Sequence, residues 1–321
     1  MSAETSAFAY ANTQILQMLD QHPLPELKAA AEELSQNYRA LEFHKSRHPL
    51  FHLAYLAVRF PATFDVNHKV LSVIPNPQDI TSFLDLGAGP GTASVAAQDT
   101  FSDLKEMTLI DSDGQFQKIS RTLLESRKTK LNFEQGLIHR LKGPYPADVV
   151  SMSYVLGELD EGAQDALIQE AWTWAQKYLI LIEPGTPRGY GRILRAREQL
   201  LAKGAYILGP CPHHNGCPLT GNDWCHFSVR LQRQEYHRRL KGVSLGYEDE
   251  KYSYLILSKE SVTHPKARVI RPPRSLPGRQ IFDLCTSNGV LRKTLTKKDG
   301  PAFKAAKHLR LGDAWDDDSG S

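Results

Sequence analysis

The spacing of apolar and polar positions along this chain changes twice. Through about residue 75 it reads as helical. The run Leu24-Pro-Glu-Leu-Lys-Ala-Ala-Ala-Glu-Glu-Leu-Ser35 carries strong helix formers with a proline near its start. Arg47 to Phe60 is more apolar and is expected to pack on the domain that follows. Pro75, Asn76 and Pro77 mark a break.

Beyond that break, short apolar runs alternate with helical stretches. The runs fall at Ser82–Leu86, Met107–Ile110, Ala147–Tyr154 and Tyr178–Ile182. The helical stretches are Thr92–Thr100, Gln115–Arg127 and Glu161–Gln176. This alternation predicts an α/β fold with a parallel sheet and right-handed crossovers. A basic helix is predicted over Gly191–Lys203, a charged helix over Val229–Arg239 and a late strand over Tyr252–Leu257. Residues 260–310 are rich in Pro, Arg and Lys and show no clear period, apart from a β segment near Arg279–Cys285. The tail Asp316–Ser321 reads as disordered. No internal repeat is evident. Four regions follow: a helical N-terminal region (1–75), a nucleotide-binding core (76–187), a cysteine-loop insertion with late core strands (188–259), and a basic C-terminal extension (260–321).

Composition adds a core and a charge asymmetry. Hydrophobic residues make up 41% of 321 residues, enough for a real core. No stretch approaches the roughly 18 apolar residues of a membrane span. Met1–Tyr10 has neither a basic n-region nor an apolar h-region and is not Arg-rich, so the expectation is a soluble cytoplasmic protein with no membrane partner. Residues 1–187 carry 15 Lys+Arg against 23 Asp+Glu, whereas 188–310 carry 24 against 9. A basic half of that size points to a polyanionic partner.

The first candidate chemistry is Phe83-Leu-Asp-Leu-Gly-Ala-Gly-Pro-Gly-Thr92, an apolar strand leading through glycines into a helix. Glycines tighten such a turn and let backbone approach a ligand, and the helix start offers unpaired N–H groups. Asp85 stands where a carboxylate can hold the amino end of S-adenosylmethionine (SAM). Asp111 ends the next strand, 24 residues after Gly87, where a carboxylate can bind ribose hydroxyls. A dinucleotide would use the same glycines, but Pro90 and the Leu-Asp-Leu-Gly lead-in favour SAM. The candidate cofactor residues are Asp85, Gly87, Ala88, Gly89, Gly91, Asp111 and Ser112, with Ser153 and Tyr154 at the end of the fourth strand. Plain core packing is the alternative reading of Tyr154.

The second is a group of cysteines. Cys211, Cys217 and Cys225 lie in one short run and Cys285 lies further on; the chain has no others. In a reducing compartment, clustered cysteines are metal ligands more often than disulfides. The intervals of five, seven and fifty-nine intervening residues suit a zinc ribbon poorly and sit more easily around a bulkier iron–sulfur cluster. Zinc remains the alternative. His213, His214 and His226 are substitute ligands or outer-shell groups.

Together these residues resemble the methyltransferase-like proteins of the ribosomal small subunit, the Rsm22 family. The resemblance rests on Leu84-Asp-Leu-Gly-Ala-Gly-Pro-Gly-Thr92, Ser153-Tyr-Val-Leu-Gly-Glu-Leu159, Glu183-Pro-Gly-Thr-Pro187 and Cys211-Pro-His…Cys217-Pro-Leu…Trp224-Cys-His-Phe227, and covers roughly residues 40–310. It implies a class I SAM-dependent methyltransferase (Rossmann-like) sheet, SAM binding, a [4Fe–4S] cluster on Cys211, Cys217, Cys225 and Cys285, and association with small-subunit rRNA. The implied activity is RNA methyl transfer, with a non-catalytic SAM- and rRNA-binding assembly factor as the alternative. RNA contact is expected through Arg188, Arg192, Arg195 and Arg197, and through Arg268, Arg271, Arg274 and Arg279. Neither Ser151–Glu158 nor Glu183–Arg188 holds a cysteine, which argues against methylation at carbon 5 of cytosine. The Asn/Asp-Pro-Pro-aromatic tetrapeptide of amino-methyltransferases is absent, and no catalytic base is identified.

Overall fold

The computed structural model describes residues 6–40, 48–124, 129–232, 235–241 and 246–316. In chain order these form α1 (Ala7–Leu19), α2 (Leu24–Ala40), α3 (Phe51–Val58), α4 (Phe60–Leu71), β1 (Ser82–Leu86), α5 (Thr92–Thr100), β2 (Glu106–Asp111), α6 (Gly114–Leu124), β3 (Lys130–Gln135), β4 (Ala147–Ser153), α7 (Glu161–Trp174) and β5 (Ala175–Pro184). Then come α8 (Pro187–Leu201), β6 (Tyr206–Gly209), β7 (Phe227–Gln232), α9 (Glu235–Lys241), β8 (Tyr247–Ser258), β9 (Ala267–Val269), β10 (Arg274–Leu276), β11 (Arg279–Thr286), β12 (Gly289–Thr296), α10 (Gly300–Ala306) and β13 (Ala314–Trp315). They gather into two compact units. One is Met1–Gln176 with Val229–Glu250; the other is Lys177–Ser228 with Lys251–Ser321.

In the first unit β1 pairs in parallel with β2 on one side and β4 on the other, and β2 pairs in parallel with β3. Alternating strand and helix produce this Rossmann-like half-sheet because each helix must cross over to return the chain in the same direction. Phe83, Leu84 and Leu86 of β1 are buried, as the continuous apolar run requires of a strand covered on both faces. The helical N-terminal region joins this unit: Ser6 caps α1, and Asp99 of α5 accepts the backbone N–H groups of Ala7 and Phe8.

In the second unit β5 runs antiparallel to β8, with Leu181 opposite Leu255, and β6 runs antiparallel to β8 with a register shift between Ile207 and Gly209. Below it in sequence lies a separate antiparallel sheet: β11 pairs with β10, β9 and β12, and β9 with β13. Phe282, Leu284, Leu295, Phe303 and Trp315 form its core, with the Phe282 and Trp315 rings 5.1 Å apart.

Several sequence expectations change here. The stretch 260–310 is a sheet, although no period was evident over its length. Its strands are short, and β11 alternates buried Gln280, Phe282 and Leu284 with less buried Arg279, Ile281 and Asp283. Val229–Gln232 belongs to strand β7, and the expected helix begins only at Glu235, because Phe227 and Leu231 are the buried positions of an extended segment. Polar β3 was not expected as a strand; it forms an outer strand with no fully buried residue. Residues 125–127 of the expected Gln115–Arg127 helix, and all but the first residue of the Asp316–Ser321 tail, lie outside the described residues. Among the described residues no helix is long and apolar enough to cross a membrane.

Candidate functional site

Each unit carries one candidate site. In the first, the turn after β1 places Gly87, Gly89 and Gly91 at positive φ. Gly87 has φ +72°, and a Cβ there would lie 2.4 Å from Val155 Cγ2, so only glycine fits. Gly91 is the N-cap of α5 and offers no side-chain acceptor to its first-turn amides. The turn is pinned to β2. The N–H groups of Gly87 and Ala88 donate to the Ile110 carbonyl, and the Gly89 N–H donates to Asp111 Oδ2 at 2.7 Å. Asp111 Oδ1 accepts the Asp113 N–H at 2.7 Å, so each oxygen of this carboxylate already holds one backbone group.

Asp85 is only 1% exposed and accepts the Ser94 hydroxyl at 2.7 Å. Burial, opposed by that hydrogen bond and reinforced by the charge of Asp111, pushes its carboxyl up to about 7. Burial also raises Asp111. The carbonyl of Ser112 accepts from Gln135 Nε2. At the end of β4, Ser153 Oγ accepts from Asn67 Nδ2 at 3.0 Å, and Tyr154 sits at φ +61°, a strained backbone for a bulky residue.

Asn67 on α4, and His52 on α3 at 2.9 Å from Asp113, approach this region without having been singled out in the sequence. Both sit in helical segments far from the glycine turn in sequence, and nothing local flags them.

The second site is a cavity of about 40 Å³ bounded by all four cysteines, with Tyr190, Ile193, Leu194 and Arg197 from α8, Pro210 and Arg268. Its volume exceeds the roughly 10–15 Å³ that one water needs. No cysteine is in a disulfide, and Cys285 is buried. Burial raises the Cys225 thiol well above its ordinary value, with the other three cysteines adding to the effect. Cys285 is pushed up to about 12 by burial, then by Cys211 and Cys217. Tyr190 Oη lies 3.0 Å from Cys217 Sγ, and His213 Nε2 lies 3.5 Å from Cys285 Sγ. His214 Nε2 instead accepts the Ile207 N–H, and His226 stacks on Trp224. Among the described residues no three His, Cys, Asp or Glu side chains close tightly enough to hold a single metal ion.

Tyr190, Ile193, Leu194 and Arg197 occupy i, i+3, i+4 and i+7 positions of α8, one face of the helix. An arginine on an otherwise apolar helical stripe was the sequence signal of this cavity.

The arginines expected to meet RNA divide into two sets. Arg192 pairs with buried Glu183 at 2.7 Å, and Arg271 pairs with Asp223. Arg268 donates to the carbonyls of Pro210 and Gly312, Arg195 is half-buried, and Arg197 is buried. Arg192, Arg197, Arg268 and Arg271 thus each donate to groups of the fold itself. Arg188, Arg274 and Arg279 are exposed, and no side-chain partner meets them among the described residues. Arg279 lies opposite Leu276 across β10 and β11, and Arg274 opposite Ile281, which puts both arginines on one face of the small sheet.

Among known proteins, the family described as mitochondrial small ribosomal subunit Rsm22 matches residues 50–316. The human mitochondrial ribosome assembly protein METTL17 is 26% identical, aligned over 90% of this chain and 69% of its own length. The mitochondrial Rsm22-cox11 tandem protein 2 of Schizosaccharomyces pombe is 24% identical over 83% of this chain and 42% of its own length, so this chain spans less than half of that relative. Among solved structures, an O-methyltransferase family protein from Burkholderia thailandensis aligns over 74% of this chain and 72% of that one, with TM-score 0.47 and 13% identity. Magnesium protoporphyrin IX methyltransferase from Synechocystis PCC 6803 aligns over 62% and 82%, with TM-score 0.40 and 14% identity. The expectation of a cytoplasmic protein is corrected by the relatives' names, which point to mitochondria. Since the match runs through both the glycine turn and all four cysteines, the motif resemblance holds over most of the sequence, and the chain belongs to the Rsm22 family.

Proposed function

We propose that this chain is a SAM-binding, methyltransferase-like factor of the ribosomal small subunit that acts on its rRNA, with an iron–sulfur cluster held by Cys211, Cys217, Cys225 and Cys285. The carrying observation is the glycine turn: three left-handed glycines, a helix start without a side-chain cap, and Asp85 and Asp111 on the strands beside it. When bound, SAM supplies an electrophilic methyl group. Asp85 would balance its ammonium, Asp111 would receive ribose hydroxyls on its remaining lone pairs, and the α5 amides would offer donors to its carboxylate. The intervals between the four cysteines suit a cluster better than a tetrahedral zinc ribbon. The small subunit enters this proposal from the names of the relatives. Exposed Arg188, Arg274 and Arg279 are the proposed phosphate contacts.

The test is transfer of radiolabelled methyl from SAM to small-subunit precursors. Labelled rRNA supports catalysis; tight SAM binding without product supports the non-catalytic assembly role.

A further inference from the structure

The four-cysteine cavity contains two positive charges with no side-chain anion of their own. Arg197 is 3% exposed. Its Nη2 donates to the carbonyls of His213 and Asn215, and its Nε has no hydrogen-bond partner among the described residues. Arg268 lies opposite Cys285 in the β9–β11 register, so both side chains leave the sheet on the same side. It donates to the carbonyls of Pro210 and Gly312. No carboxylate pairs with either guanidinium among the described residues, although Arg192 and Arg271 nearby in sequence each have one. Burying a cation against neutral carbonyls alone is costly, and an anion within reach removes that cost. The anionic groups available are the thiolates: Arg197 and Arg268 line the same cavity as all four cysteines.

We infer that Arg197 and Arg268 are the built-in counter-charges of a dianionic four-thiolate centre. Four thiolates around a doubly positive core, a [4Fe–4S] cluster or a zinc ion, leave two negative charges. Two guanidinium groups balance them. This rests on the proposal that the cysteines hold such a centre. It makes these arginines positioning residues of the centre and removes them from the RNA surface.

The test uses the full chain purified without oxygen, as wild type and as Arg197→Met, Arg268→Met and the corresponding Lys variants. Iron, sulfide and zinc content identifies the centre. Its loss to excess EDTA is then timed, with circular dichroism as the check on folding. Each Met variant is expected to bind the centre about 10- to 100-fold more weakly, the range seen when groups supporting a metal's ligands are removed. The Lys variants, which keep the charge, are expected to stay close to wild type. If the centre is a cluster, the Met variants also move its reduction potential to more negative values, which lost packing alone would not do. Folded Met variants that retain metal as wild type does would overturn the inference and leave the cysteine centre standing. Lys variants as labile as Met variants would likewise overturn it, and they decide the matter if the Met variants do not fold. Wild-type protein with neither metal nor sulfide would overturn the centre itself, and the inference with it.

Discussion

Arg192 Nη1 lies 2.7 Å from Glu183 Oε2, and the Glu183 side chain is 1% exposed. The pair ties the first turns of α8 to the end of β5. Removing Arg192 takes an ion-pair partner from a buried carboxylate, a loss of about 3–5 kcal/mol. Arg192→Met is therefore expected to lower the unfolding free energy by that amount, measured by urea denaturation followed by circular dichroism. The double variant Glu183→Gln/Arg192→Met should recover part of it, since the buried carboxylate charge is removed with its ion-pair partner. A phosphate contact at Arg192 would instead leave stability unchanged.

The glycine turn predicts a steric signature. Gly87→Ala puts a methyl group 2.4 Å from Val155 Cγ2 at φ +72°. The clash and the backbone strain together should cost about 2–4 kcal/mol. SAM binding, read by calorimetry, should fall below detection. Adding Val155→Ala relieves the clash but not the strain, so it should restore stability only in part. Full restoration would show that the left-handed backbone carries no cost.

Asp85 sets a pH dependence whose sign is fixed. Its folded-state carboxyl, raised to about 7 mainly by burial, keeps a proton that the unfolded chain, with an ordinary value of 3.8, has released. From about pH 4 to 7 the native state binds more protons, so stability falls as pH rises, by at most about 1.4 kcal/mol per pH unit, and levels off above 7. Asp85→Asn should remove this slope from urea unfolding curves taken at pH 5 to 8. If Asp85 meets the SAM ammonium, which would favour the ionised carboxylate, SAM affinity should strengthen from pH 6 to 8 in the wild type and stay flat in Asp85→Asn. An unchanged affinity across that range in both proteins would separate Asp85 from the ligand.

Arg274 and Arg279 share a face of the β10–β11 pair and are exposed. If they meet phosphate, Arg274→Ala and Arg279→Ala should each reduce the slope of log K against log salt for single-stranded RNA by about 0.7, without changing the urea midpoint. Arg268→Met should leave that slope unchanged. Equal slopes in all three variants would move the RNA surface elsewhere.

Much of the first site was legible because its chemistry is local. Strand, glycines and helix start are consecutive in sequence, and Asp85 and Asp111 fall at strand ends that the alternation of apolar runs already marks. Cysteine scarcity likewise singled out Cys285 despite its distance in sequence from Cys225, and the fold brings both to one cavity. Arginine roles could not be read this way. A charge count treats Arg192, Arg197 and Arg268 like Arg274 and Arg279, yet burial and partner decide whether a guanidinium faces solvent or its own fold. Glu183 and the carbonyls of Pro210 and Gly312 become partners only when β5, the cysteine loop and β9 fold together. The small sheet of β9 to β13 was hidden for a related reason: its strands are short and basic, and their buried positions gain meaning only against Phe303 and Trp315, which arrive later in the chain. Sequence alone determined the family, the alternating α/β core and the identity of the two motifs, because local periodicity and rare residues encode them. Tertiary structure alone decided which basic side chains are free, because the cost of burying a charge depends on neighbours that the sequence places far away.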